Sequence, residues 1–214
     1  VSAFAVLRQP LTIKLALPVL LIGLGAAILL PYTNLFYVER YGVSNELLGV
    51  LFSLAALLTC LGSLLAPRLA VSLGGKIRAV VFTQASSLIF MLLMGFAPFA
   101  GLSAGAYLLR GMLMNMAYPL MDSFSMGLVA EGQQGTVNSV RSMANQVGWA
   151  LGPFISGLIQ ESLGFAPLFV IATLLYAVAT GAVWKFFHKV EPLFEAVPPE
   201  IERIAPQALE IIQG

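Results

Sequence analysis

The chain has 214 residues, 59% hydrophobic and only 10% charged, with a formal net charge of +1. Soluble domains carry about 25% charged residues and cannot bury this much apolar surface in one core, so the solvent for most of these side chains is lipid. The near-neutral charge offers no basic surface for nucleic acid, and the single cysteine, Cys60, cannot form an internal disulfide.

The chain opens on Val1 rather than Met, with no signal-peptide pattern ahead of its first apolar run, and reads as a fragment or processed form, the second half of a longer chain. Six apolar segments follow, each near the roughly 20 residues that cross a bilayer. The first covers residues 15–38, and a polar break at Glu39, Arg40, Tyr41 and Gly42 closes it. The second covers 47–73, with Ser44 as a helix N-cap just before it. Gly74, Gly75 and Lys76 lead into the third, 77–96, and Pro98 and Gly101 into the fourth, 103–129. A polar break at 131–135 precedes the fifth, 136–159, and the sixth covers 165–187. Each is expected to be helical, because hydrocarbon leaves an open backbone unsatisfied. The expected fold is an all-α integral membrane protein, a bundle of six transmembrane helices within residues 1–189. Residues 190–214, with five glutamates and Pro192, Pro198, Pro199 and Pro206, read as a loosely ordered cytoplasmic tail.

Lys and Arg near the segment ends set the orientation. With the N-terminus cytoplasmic, that side holds Arg8, Lys14, Arg68, Lys76, Arg78, Arg141, Lys185 and Lys189, and the outer side holds only Arg40. Both termini are therefore expected in the cytoplasm of a multi-pass cell-membrane protein.

Ionisable groups inside a membrane segment are costly and mark function. Arg110 and Asp122 both lie in the fourth segment. Twelve residues apart, they differ by about 120° around a helix and cannot pair directly. Arg110, in the outer half, is either an anchor for an anionic or carboxylated solute or a snorkelling side chain that reaches the headgroups. Asp122, in the inner half, is either a proton-coupling carboxylate or a cytoplasmic ion pair with Arg68 or Arg141. Asn115, Tyr118 and Asp122 share one helix face, which belongs toward a cavity or a neighbouring helix. Asn34 and Tyr37 share another, just beyond Pro31, a kink that would let the outer half open; Tyr37 and Tyr41 also fit an aromatic belt. In the fifth segment Asn138, Arg141, Asn145, Gly148 and Gly152 fall on one side, and Gly148 and Gly152 form a G-x-x-x-G pair suited to close helix contact. Trp149 lines a cavity or faces lipid, and Gln84, Ser86 and Ser87 read as interhelical hydrogen bonders. His188 has too few companions for a metal site, and no Walker loop or nucleophile constellation is present, so neither metal, cofactor, ATP-driven pumping nor enzymatic catalysis is implied.

Three stretches carry a resemblance. Gly62, Ser63, Leu64, Leu65, Ala66, Pro67, Arg68 and Leu69, followed by Leu73, Gly74, Gly75, Lys76, Ile77 and Arg78, are similar to the cytoplasmic loop G-x-x-x-D/A-R-x-x-x-x-G-R-K/R of the major facilitator superfamily. Ala66 and Pro67 stand where an acid often sits, and Gly75 stands for a basic residue. Gln134 to Arg141, then Gly148, Trp149, Ala150, Leu151, Gly152 and Pro153, resemble its loop and eleventh helix, with Gln134 in place of Arg. Tyr41, Gly42, Val43 and Ser44 with Leu48 and Gly49 resemble the short outer loop between its seventh and eighth helices. Together, over residues 12–188, they resemble the C-terminal six-helix half of such a transporter. The resemblance implies two six-helix halves with a small-molecule substrate bound between them at mid-depth, so this chain needs the missing N-terminal half or a second copy of itself. The candidates for the wall of that substrate site, on the residue readings above, are Asn34, Tyr37, Arg110, Asn115, Tyr118, Asn145 and Trp149. The resemblance favours a cytoplasmic gate or coupling cluster of Arg68, Lys76, Arg78, Asp122 and Arg141. The expected function is secondary transport of a small solute by alternating access, with proton-coupled export as the narrower expectation and uptake by symport as the alternative. A rival of another class, a non-transporting scaffold or sensor, requires Arg110, Asp122 and Asn34 to face lipid or pack statically, with no cavity.

Overall fold

Residues 9–191 are described by the computed structural model, and a helix forms over each of the six apolar segments. The first segment is broken in two: α1 (Pro10–Leu29) runs through a single 3-10 turn, Leu30–Tyr32, into α2 (Thr33–Tyr41). The cause is Pro31, which has no N–H to continue the helical ladder. Side chains cover the backbone at the break. Ser156 Oγ donates to the Ile28 carbonyl at 2.6 Å, and Thr33 Oγ1 to the Leu29 carbonyl at 3.3 Å. This is how a proline is accommodated where no water can help.

The remaining helices are α3 (Asn45–Ser72), α4 (Lys76–Phe96), α5 (Ala100–Leu128), α6 (Gln134–Leu163) and α7 (Ala166–Phe187). Between α2 and α3, Gly42 takes a left-handed turn (φ 63°), and the Ser44 hydroxyl accepts from the Leu47 N–H at 3.4 Å, capping α3. Four segments are long and apolar enough to cross a membrane: Pro10–Tyr41, α3, α4 and α7. Helices α5 and α6, with 29 and 30 residues, have the length but less apolar character. They hold Arg110, Asp122, Asn138, Arg141 and Asn145, and most of these turn inward.

The packing is that of two related triplets. Helix α1 lies against α6 and α7, α5 lies against α3 and α4, and α4 meets α7. Exchanging α1 with α5, α3 with α6 and α4 with α7 leaves these neighbours unchanged. Because each triplet has an odd number of passes, the second starts from the opposite end of the bundle, the arrangement of an inverted repeat. The tightest seam is α1 on α6. A Cβ on Gly148 would lie 2.5 Å from the Leu24 backbone nitrogen, and one on Gly152 would collide with Ala27. Both glycines of the G-x-x-x-G pair thus bring the two backbones together. Helix α3 is the outermost, with Leu48, Gly62, Ala66 and Ala70 buried and Leu54, Leu57, Leu61 and Leu64 exposed.

Past α7 the chain turns back. Val190 and Glu191, expected to begin a loose tail, are buried at 1% and 3% exposure. The Glu191 carboxylate accepts from the Ile77 N–H at the start of α4, and a Cβ on Gly75 would come within 2.5 Å of that carboxyl group. The glycine that replaces a basic residue in the cytoplasmic motif makes this room. The rest of the expected tail, 192–214, lies outside the described residues.

Candidate functional site

Three helices build most of one wall from helical stripes. Tyr118, Met121 and Asp122 on α5 lie a turn apart, as do Asn138, Arg141 or Ser142, and Asn145 on α6. Pro18, Val19 and Ile22 face them from α1. They line a half-open cavity of about 220 Å³, to which Gln84 of α4 and Val183 of α7 add the far wall.

An ion pair stands at one end of it. Arg141 Nη2 meets Asp122 Oδ1 at 2.7 Å, with the Arg141 side chain 8% exposed and that of Asp122 60% exposed. Arg141, rather than Arg68, is thus the partner of Asp122. Next to it, Lys76 Nζ donates to Ser123 Oγ at 2.8 Å and ties the α4 start to α5. Arg68 and Arg78 are exposed nearby in sequence, outside the cavity lining.

Deeper in, the walls are neutral. Gln84 Oε1 accepts a hydrogen bond from Thr180 Oγ1 at 3.1 Å. One turn outward on α7, the Tyr176 hydroxyl accepts from Arg110 Nη2 at 2.9 Å, and the Arg110 guanidinium lies 5.4 Å from the Tyr176 ring centroid. Arg110 is 5% exposed and its Nε has no partner. It does not snorkel to the headgroups, and it stands one turn beyond Met114, which lines the cavity.

The other expected cavity residues separate. Tyr118 and Asn145 line the cavity. Asn115 turns the opposite way, donating to Thr59 Oγ1 of α3 at 3.5 Å and to the Gly111 carbonyl at 2.7 Å. Tyr37 is buried among Phe36, Tyr41 and Tyr107, with its hydroxyl 3.2 Å from Ser103 Oγ, while Asn34 is exposed. Their shared stripe is split because the aromatic cluster pulls one side of α2 inward. Trp149 is 37% exposed and outside the cavity lining. Gln84, Met114, Met121 and Ser142 line the cavity without having been singled out for it. A polar residue in the middle of an apolar segment was the available signal for Gln84; the methionines carry none. Among the described residues no cluster of three or more His, Cys, Asp or Glu could hold a metal ion.

A helical membrane bundle of inverted triplets, with a half-open cavity of mixed polar and apolar walls and an ion pair at one end of it, fits the class of solute-carrying membrane proteins. Residues 6–211 match the family model of the Major Facilitator Superfamily, and the chain belongs to that superfamily, whose members are transporters rather than enzymes. It is 26% identical over 175 residues to a Deinococcus radiodurans protein named "Putative sugar efflux transporter". The match covers 80% of this chain and 45% of that relative, so the chain spans less than half of the relative's length.

Proposed function

We propose that the chain is the C-terminal six-helix half of a secondary transporter that moves a small solute across the cell membrane by alternating access. In this reading all six helices cross the bilayer, both termini are cytoplasmic, and the complementary N-terminal half faces the open side of the cavity. The observation that carries it is the cavity itself, which is neutral and partly amide-lined at depth and guarded by Asp122 and Arg141 at its inner end. A static scaffold has no use for such a space. The solute is neutral and hydroxylated, and the direction is outward. The name of the Deinococcus radiodurans relative supports both. Asp122 and Arg141 work as the cytoplasmic gate, with Lys76, Arg68 and Arg78 as the basic rim around it.

The test is transport in proteoliposomes, with this chain alone and joined to a matching N-terminal half, using neutral monosaccharides and an imposed pH gradient. Only the joined form is expected to transport, with outward flux driven by inward proton movement. Flux in the same direction as the protons would instead establish uptake by symport. Transport by the lone chain would establish a working homodimer, and no transport by either form would overturn the reading in favour of a scaffold.

A further inference from the structure

We infer that Gln84 reads the solute, by donating a hydrogen bond from its amide nitrogen to an oxygen acceptor, and that Thr180 holds the amide in the donating orientation. The inference rests on the transport reading above and names the residue that gives it specificity.

Gln84 is only 4% exposed, yet it lines the cavity. Its Oε1 is occupied by the Thr180 hydroxyl at 3.1 Å, and its backbone carbonyl is separately bonded by Ser87 Oγ at 2.7 Å. The side-chain amide is planar, so fixing the oxygen fixes the nitrogen. No partner among the described residues takes up that nitrogen, which leaves two N–H donors at the cavity wall.

The behaviour of Thr180 strengthens the case. Threonines in membrane helices commonly bond the carbonyl one turn back. Thr83 does so with Ala79 at 2.9 Å and Thr173 with Phe169 at 2.7 Å. Thr180 instead directs its hydroxyl across to α4. With the Thr180 hydroxyl donating to the amide oxygen, the NH₂ group is left to the cavity. The cavity lining also includes the apolar Ile22, Met114 and Val183. A solute with a hydroxyl, ether or carbonyl oxygen at this place would satisfy it, whereas an analogue lacking that oxygen would leave it bare.

The probe is methyl β-D-glucopyranoside with its monodeoxy derivatives, transported by the joined form in proteoliposomes. The wild type is expected to disfavour one deoxy derivative by about tenfold in KM, the size of one neutral hydrogen bond. Gln84→Leu is expected to treat that derivative and the parent alike. Thr180→Val is expected to weaken the discrimination, with kcat little changed, and Thr180→Ser to restore it. A second measurement is independent of transport. In a Cys60→Ser background, the Gln84→Cys thiol is expected to react with a small methanethiosulfonate reagent in the folded, detergent-solubilised protein. An unreactive thiol, or discrimination that survives Gln84→Leu, overturns this inference and leaves the transport reading standing. Failure of the wild type to move any of these probes overturns the hydroxylated-solute reading on which it rests.

Discussion

Arg141 is buried, and Asp122 is its one ionic partner among the described residues. The pair is lopsided, since Asp122 is largely exposed. Its Coulomb term is therefore screened, and the cost of breaking it falls on the desolvated guanidinium. Asp122→Asn is expected to destabilise the protein by about 1–3 kcal/mol in a detergent unfolding titration. A double-mutant cycle with Arg141→Met should show coupling, because that second change removes the stranded cation. Additive losses would mean that the 2.7 Å contact contributes nothing. Tyr176 has the same relation to Arg110, a buried cation whose Nε is already unpaired. Tyr176→Phe is expected to lower stability by about 1–2 kcal/mol, measured the same way, since it strands a second donor of a buried charge. Arg110 and Asp122 were legible as ionisable residues within an apolar segment, and Arg141 as one of two possible partners for Asp122. The identity of the partner was not, because helical spacing fixes a side chain's angle about its own axis and says nothing about which helix packs there. Asn115 and Tyr118 show the limit: three residues apart on α5, one bonds to α3 and the other lines the cavity.

At the scale of elements, the seam between α1 and α6 decides how the two triplets meet. Gly148 and Gly152 have no space for a side chain, and the atoms in the way include backbone, which cannot rotate aside. Gly152→Val is therefore expected to cost at least about 1–3 kcal/mol through overpacking, read as a lower unfolding midpoint. Gly105 and Gly111, which meet nothing within 4 Å, should accept Ala with little change and serve as controls. An equal loss at Gly111 would mean that helix flexibility, and not the seam, is responsible. The helices and the break at Pro31 were legible because hydropathy, glycine and proline act locally. The return of Glu191 to the start of α4 was not. A carboxylate that caps a helix more than 100 residues away has no local pattern, and Gly75 registered only as a departure from a motif. The apolar signal also weakened at α5 and α6, because helices that line a polar space carry fewer apolar residues.

The whole bundle presents α6 with two unlike sides. Asn138, Ser142, Gln146 and Trp149 are exposed along one stripe, and Met143, Val147, Leu151, Phe154 and Leu158 project from the opposite side, exposed or nearly so. Only the second can face hydrocarbon. Amide side chains left in lipid would forfeit their hydrogen bonds, so the polar stripe must meet water or another protein surface, which in the proposed function is the complementary half. On helix α3, Leu54, Leu57, Leu61 and Leu64 make one exposed side apolar. This asymmetry predicts where lipid touches the assembled transporter. With Cys60 replaced by Ser, spin labels at Ser142 and Gln146 are expected to collide readily with a water-soluble nickel chelate and little with oxygen. Labels at Phe154, Leu158 and Leu57 are expected to show the reverse. In the lone chain, the labels on the polar stripe should remain accessible to the chelate, because nothing then covers them. On joining the complementary half, accessibility at Gln146 should fall while that at Ser142, which lines the cavity, persists. Oxygen collision at Ser142 equal to that at Leu158 would place the stripe in lipid, and the chain would then be a self-contained bundle with no second half to cover it.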